Sequence, residues 1–131
     1  MKTDIDIKDD LYRYLSGSAI MEEVTGSLSK TLRPDTSEAE DVVISILGNV
    51  YSDIQQAYVN VNIYVADIKR GNQYEENSIR LRQLCNASKE LLGVGRGDGY
   101  RFTLEEQRVM EVQGRNEHFI NNKLLYKYSK Y

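Results

Sequence analysis

Ala57-Tyr58-Val59-Asn60-Val61-Asn62-Ile63-Tyr64-Val65-Ala66 decides the fold class, because its side chains alternate in character from one residue to the next. Successive side chains of a strand point to opposite faces, so Val59, Val61, Ile63 and Val65 share one face. Tyr58, Asn60, Asn62 and Tyr64 share the other. The first face predicts a core. The second is polar and aromatic rather than charged, as on an antiparallel sheet that shows one side to water or to a partner.

Upstream, Asp9 to Glu23 reads as an amphipathic helix. Leu11, Tyr14, Leu15 and Ser18 follow helical spacing, Asp9 or Asp10 can cap the start, and Gly26 lies past the end. Ser27 to Leu32 is a short candidate strand with Leu28 and Leu32 as its apolar residues. Arg33-Pro34-Asp35-Thr36-Ser37 signals a turn and holds the one proline of the chain. Val42, Val43, Ile44 and Ile46 make Glu40 to Leu47 a β-branched strand, and Gly48-Asn49 is compatible with a turn after it.

Downstream, Gln73 to Leu92 changes to helical period, with Leu81, Leu84, Cys85, Ser88, Leu91 and Leu92 on one stripe. Gly93 is placed to end that helix in the left-handed conformation glycine accepts. Tyr100 to Gln113 alternates imperfectly and predicts a bulge or loop at Glu105-Glu106. Gly114-Arg115-Asn116 is a turn into a last strand, where Ile120, Leu124, Tyr126 and Tyr128 share a parity. The expected order is helix, three strands, helix, two strands. It predicts one α+β domain over 1–131, a largely antiparallel sheet of about four to five strands with two helices on one face.

At 131 residues the chain suits a single globular domain, and 17 basic against 20 acidic residues give a formal charge of -3. That balance argues against a protein that coats nucleic acid. One cysteine and one histidine argue against a disulfide framework, a thiolate zinc cluster or a His-rich metal site. Met1-Lys2-Thr3-Asp4 does not read as a signal peptide, and no apolar run is long enough to predict a membrane span.

Candidate chemistry is sparse. Cys85 falls in an apolar helical stripe, where a thiol acts as a small hydrophobe, and His118 shares its parity with Ile120 and Leu124. Gly93-Val94-Gly95-Arg96-Gly97-Asp98-Gly99 follows a helix and precedes a strand, the wrong order for a phosphate loop, and reads as a flexible loop. Arg96-Gly97-Asp98 and Asn86-Ala87-Ser88 match short motifs without supporting context. Asp9-Asp10 and Glu105-Glu106 read as solvated carboxylates. No catalytic residue, metal ligand or cofactor site is expected. Ten tyrosines without a tryptophan are less ordinary. Tyr58, Tyr64, Tyr126 and Tyr128 fall on strands, where they either form an interface or cover the edges of a small sheet.

Several stretches together resemble the small tail-completion, or tail-terminator-like, proteins of long-tailed bacteriophages and prophages. They are Leu11-Tyr12-Arg13-Tyr14-Leu15, Gly26-Ser27-Leu28, Arg33-Pro34, Glu40 to Ile44, Val59 to Val65, and Glu117-His118-Phe119-Ile120-Asn121. The resemblance covers roughly residues 11–128 and rests on element order and short apolar runs. It implies a non-enzymatic α+β protein that assembles into a ring, commonly a hexamer. That ring ends the tail tube and joins it to the head connector. It implies tail-tube and connector proteins as partners, with no small-molecule substrate, no membrane and no sequence-specific nucleic acid. It places the protein in the host cytoplasm during assembly and then in the virion. Under it, Tyr58, Asn60, Asn62 and Tyr64 form one contact, Arg33 and Pro34 face the lumen or a partner ring, and Tyr126 and Tyr128 add to the interface. A neck or head-closure component, and a module that binds peptides by strand addition, are the alternatives.

Overall fold

A computed structural model describes residues 1–50 and 54–129, with Val50 as backbone alone. The elements run α1 (Asp4–Leu15), α2 (Ala19–Glu23), β1 (Leu28–Lys30), β2 (Val42–Val50), β3 (Ile54–Ala66), β4 (Ile68–Arg70), β5 (Gln73–Glu75), α3 (Ser78–Leu92), β6 (Val94–Arg96), β7 (Tyr100–Glu111) and β8 (Glu117–Ser129). Six strands form a curled sheet in the order β1-β2-β3-β8-β7-β6, and β4-β5 is a separate hairpin. β1 runs parallel to β2, and the other pairs are antiparallel.

This corrects the expected sheet of about four to five strands with two helices. The described residues hold eight strands and three helices, and the main sheet is mixed. Each difference has a local cause. The first helical stretch starts earlier, because Thr3 and Asp6 form a reciprocal capping box, so Asp9 and Asp10 are not the cap. It also breaks at Ser16–Ser18, where Ser18 takes an extended backbone and caps α2. Gly48-Asn49 does not turn the chain but lies within β2, where a bulge between Ile46 and Gly48 absorbs the irregularity. Gln73–Glu75 pairs with Ile68–Arg70, so α3 begins only after its cap Asn77. Gly93 is right-handed rather than left-handed, with φ -53°. The imperfect alternation near Glu105 is a bulge between Leu104 and Glu106.

The glycine-rich tract is not a flexible loop. It is the β6–β7 hairpin, in which Gly95 faces Phe102 and the Gly97 amide donates to the Tyr100 carbonyl. A Cβ on Gly95 would lie 2.1 Å from the Phe102 ring, and one on Gly97 would lie 2.3 Å from the Tyr100 ring. The glycines make room for aromatic rings, which is why they cluster there.

All helices pack against one face of the sheet. Ile7, Leu11 and Leu15 of α1, Ile20 of α2 and Leu81, Leu84 and Leu92 of α3 share one core with Val42, Ile44, Val59, Val61, Ile63, Ile120 and Leu124. Phe102 and Tyr126 are its largest fully buried side chains. Tyr14 meets the Phe102 ring edge-on at 4.9 Å, and Tyr100 stacks on Tyr126 at 5.2 Å. No helix among the described residues is long and apolar enough to cross a membrane.

Candidate interaction surface

The face turned away from the helices is built by β2, β3, β8 and β7, and register decides its make-up. β3 pairs with β8 from Ile54↔Ser129 to Ala66↔Glu117, so Asn60, Asn62 and Tyr64 lie opposite Lys123, Asn121 and Phe119. The next strand adds Glu106, Arg108 and Met110 to the same rows. Along β8 this is the parity opposite to Ile120 and Leu124. That alternation was readable in the sequence, whereas the partners across the strands were not.

Three of the expected contact residues are already occupied within the sheet. Asn121 donates to Asn60 at 3.0 Å and to Asn62 at 2.8 Å, which ties β3 to β8. Tyr64 stacks on Phe119 at 5.6 Å, and the Arg33 guanidinium covers its ring at 4.2 Å. Tyr58 remains 42% exposed, with the Lys123 ammonium 4.6 Å above its ring. Met110, 41% exposed, joins it as an accessible apolar group on this face, with Phe119 and Leu125 half-buried between strands.

Tyr126 and Tyr128 lie on the opposite face. Tyr126 is fully buried in the core and donates to Asp10, so it makes no surface contact. Burial, and then that hydrogen bond to a carboxylate, push its phenol far above the ordinary tyrosine range. Tyr128 is half-buried beneath the Lys2 ammonium, 4.6 Å from its ring. Lys2 also binds Asp10, and Arg13 donates to the other Asp10 oxygen at 2.6 Å.

Arg33 is not free to face a lumen. Its Nε donates to Asp41 at 2.7 Å, its Nη1 and Nη2 donate to the two Glu117 oxygens, and Nη2 also reaches the Ala39 carbonyl. Asp41 and Glu117 are buried, and Ser37 donates to Asp41 at 2.6 Å. Burial alone would raise the Asp41 carboxyl, but the bonds from Ser37, Arg33 and the Ser27 amide outweigh it and hold the group below the usual aspartate range. Burial likewise opposes the Arg33 charge, and its two carboxylates more than restore it. Pro34 is exposed on the adjoining turn, where its carbonyl accepts from the Ser37 amide.

His118 and Cys85 do not meet. The His118 Nδ1 lies 2.6 Å from Asp67, with Glu76 3.9 Å from Nε2. The Cys85 carbonyl accepts from Gln107, which also binds Asn122, four residues further along β8 from His118 and so about 13 Å away. Burial raises the Cys85 thiol, which favours the unreactive protonated form. Among the described residues no cluster of His, Cys, Asp and Glu is arranged to hold a metal ion.

The far edge of β7 is a second accessible feature that sequence reasoning missed. β6 covers only Arg101–Thr103, so no strand among the described residues pairs with the far side of Gln107–Glu111. Val112 donates to Glu117, and alternation from that bond turns the amides of Glu111, Val109 and Gln107 outward. Glu105, Glu106, Arg108 and Glu111 put charge along this edge. A scan against protein-family models finds no match for the chain, and a search of curated proteins finds none either.

Proposed function

We propose that the chain is a non-enzymatic structural protein that completes a phage or prophage tail tube and joins it to the head connector. It acts as a ring of copies that assembles in the host cytoplasm and stays at the tail–neck junction of the virion. The observation that carries this reading is the sheet face no helix covers, where Tyr58 and Met110 are exposed beside half-buried Phe119 and Leu125. Aromatic and methionine side chains on a rigid, hydrogen-bonded platform are what protein interfaces favour. A head-to-tail ring also needs a second, different patch, and the charged outer edge of β7 supplies one.

A test of this reading uses Tyr58→Glu, because Asn60, Asn62 and Tyr64 hold the sheet together and their loss would confuse folding with assembly. In sedimentation velocity the wild-type chain forms a closed oligomer, and it is retained by tail tubes or connectors in a pull-down. Tyr58→Glu is monomeric with an unchanged Tm. A wild-type chain that stays monomeric and binds neither partner overturns the tail role.

The open β7 edge favours one alternative, a module that captures an extended peptide by adding it as a strand. Under that reading the chain is a monomer with saturable peptide binding. Val109→Pro removes an outward amide without touching the ladder to β8, and it abolishes the binding.

A further inference from the structure

At the end of the sheet farthest from Arg33, three cations stand in one row. Arg96 pairs in register with Arg101, and Arg101 pairs with Lys127, so their side chains leave the same face of three adjacent strands. Strands lie about 4.8 Å apart, which puts the three within about 10 Å of one another. Like charges placed directly opposite destabilise a sheet. Arg33 and Arg80 are matched to carboxylates. Among the described residues Arg96, Arg101 and Lys127 have no ion pair or side-chain hydrogen bond, and Asp98 at the hairpin tip pairs with none of them.

The same three side chains line a cleft of about 320 Å³, together with Gly97, Gly99, Tyr100 and Tyr128. Gly97 and Gly99 carry no side chain that could fill it. Gly99 has φ +77°, a conformation other residues adopt at a cost, so the turn is held in this shape.

We propose that this cleft is a binding site for a compact, multivalent phosphate anion of the diphosphate class, held by Arg96, Arg101 and Lys127. Guanidinium forks match phosphate oxygens in pairs, and a lysine adds a point charge. An extended acidic peptide fits less well, because β7 is paired on both sides at Arg101 and the edge strand beside it, β6, offers only the three residues Val94–Arg96 as backbone. The site is far along the strands from Met110 and shares its face with Tyr58, whose row lies next to that of Lys127, yet it does not depend on the assembly reading.

The test is calorimetric titration of the full chain with sodium pyrophosphate, with orthophosphate, hexaglutamate and sodium chloride of equal ionic strength as comparisons. Pyrophosphate binds saturably and raises Tm, at least about tenfold more tightly than orthophosphate. Arg96→Gln with Arg101→Gln weakens it by about tenfold or more, while raising Tm at low salt because the row no longer repels itself. Should the double variant not fold, Arg101→Lys keeps the charge, loses the fork and still weakens pyrophosphate. Equal protection by chloride, equal or tighter binding of hexaglutamate, or unchanged affinity in the variants overturns the proposal.

Discussion

At the Ala66–Glu117 end of the sheet, one arginine is enclosed by two buried carboxylates, a backbone carbonyl and a tyrosine ring. At the Gln56–Lys127 end, two arginines and a lysine face one another, and among the described residues none of them has a carboxylate partner. Both settings use cations on adjoining elements, yet their energetics run in opposite directions. The Arg33 cluster compensates charge that folding has taken out of water, so removing one member strands the others. The Arg96–Arg101–Lys127 row leaves charge uncompensated, so removing one member relieves the fold. The first holds the 31–41 segment to β8. The second keeps its hydrogen-bonding capacity for something outside the chain.

The comparison breaks most sharply at Arg33. Arg33→Ala leaves Asp41 buried without a cation and Glu117 with only Arg115, 3.6 Å away, and the expected loss is about 3–5 kcal/mol in urea unfolding. A loss below about 1 kcal/mol would show that the cluster is not what fastens this end. Tyr126→Phe is the intermediate case. It removes the phenol that donates to Asp10, whose Lys2 and Arg13 partners remain, and should cost about 1–3 kcal/mol by the same measurement. Acid titration gives the smallest effect. Asp41 titrates below its unfolded range, so its contribution is complete above about pH 4 and is lost as pH falls through the lower folded value. Unfolding midpoints measured from pH 5 to pH 2 should fall more steeply for the wild type than for Arg33→Ala, since the variant no longer holds Asp41 low.

Much of the outer face was legible in residues 57–66, because period-two alternation is a local property of a strand. The same logic gave the stripe of α3 and the parity of β8, and it located the bulge near Glu105. The parity of Tyr126 also pointed inward, alongside Ile120 and Leu124. Its richness in tyrosine nonetheless suggested an interface, and burial against Asp10 overrules that. The N-terminal helix starts earlier than its apolar spacing suggests, because Thr3 with Asp6 makes a better cap than Asp9 or Asp10, and Asp10 is buried where it accepts from Tyr126. The glycine tract looks like a flexible loop in sequence because the rings that require it, Phe102 and Tyr100, lie on the strand after the turn.

Which residues alternate, where helical period begins, and that one cysteine and one histidine make neither a disulfide framework nor a His-rich site all follow from the residues alone. Those properties depend on neighbours a few positions away. Only the folded chain shows that β1 joins in parallel, that β3 takes β8 as its second neighbour beside β2, and that Arg33 meets Glu117 eighty-four residues later. It also shows that Arg96, Arg101 and Lys127 share a row. Register couples residues far apart along the chain, and it is set by how all the strands bury one common face at once.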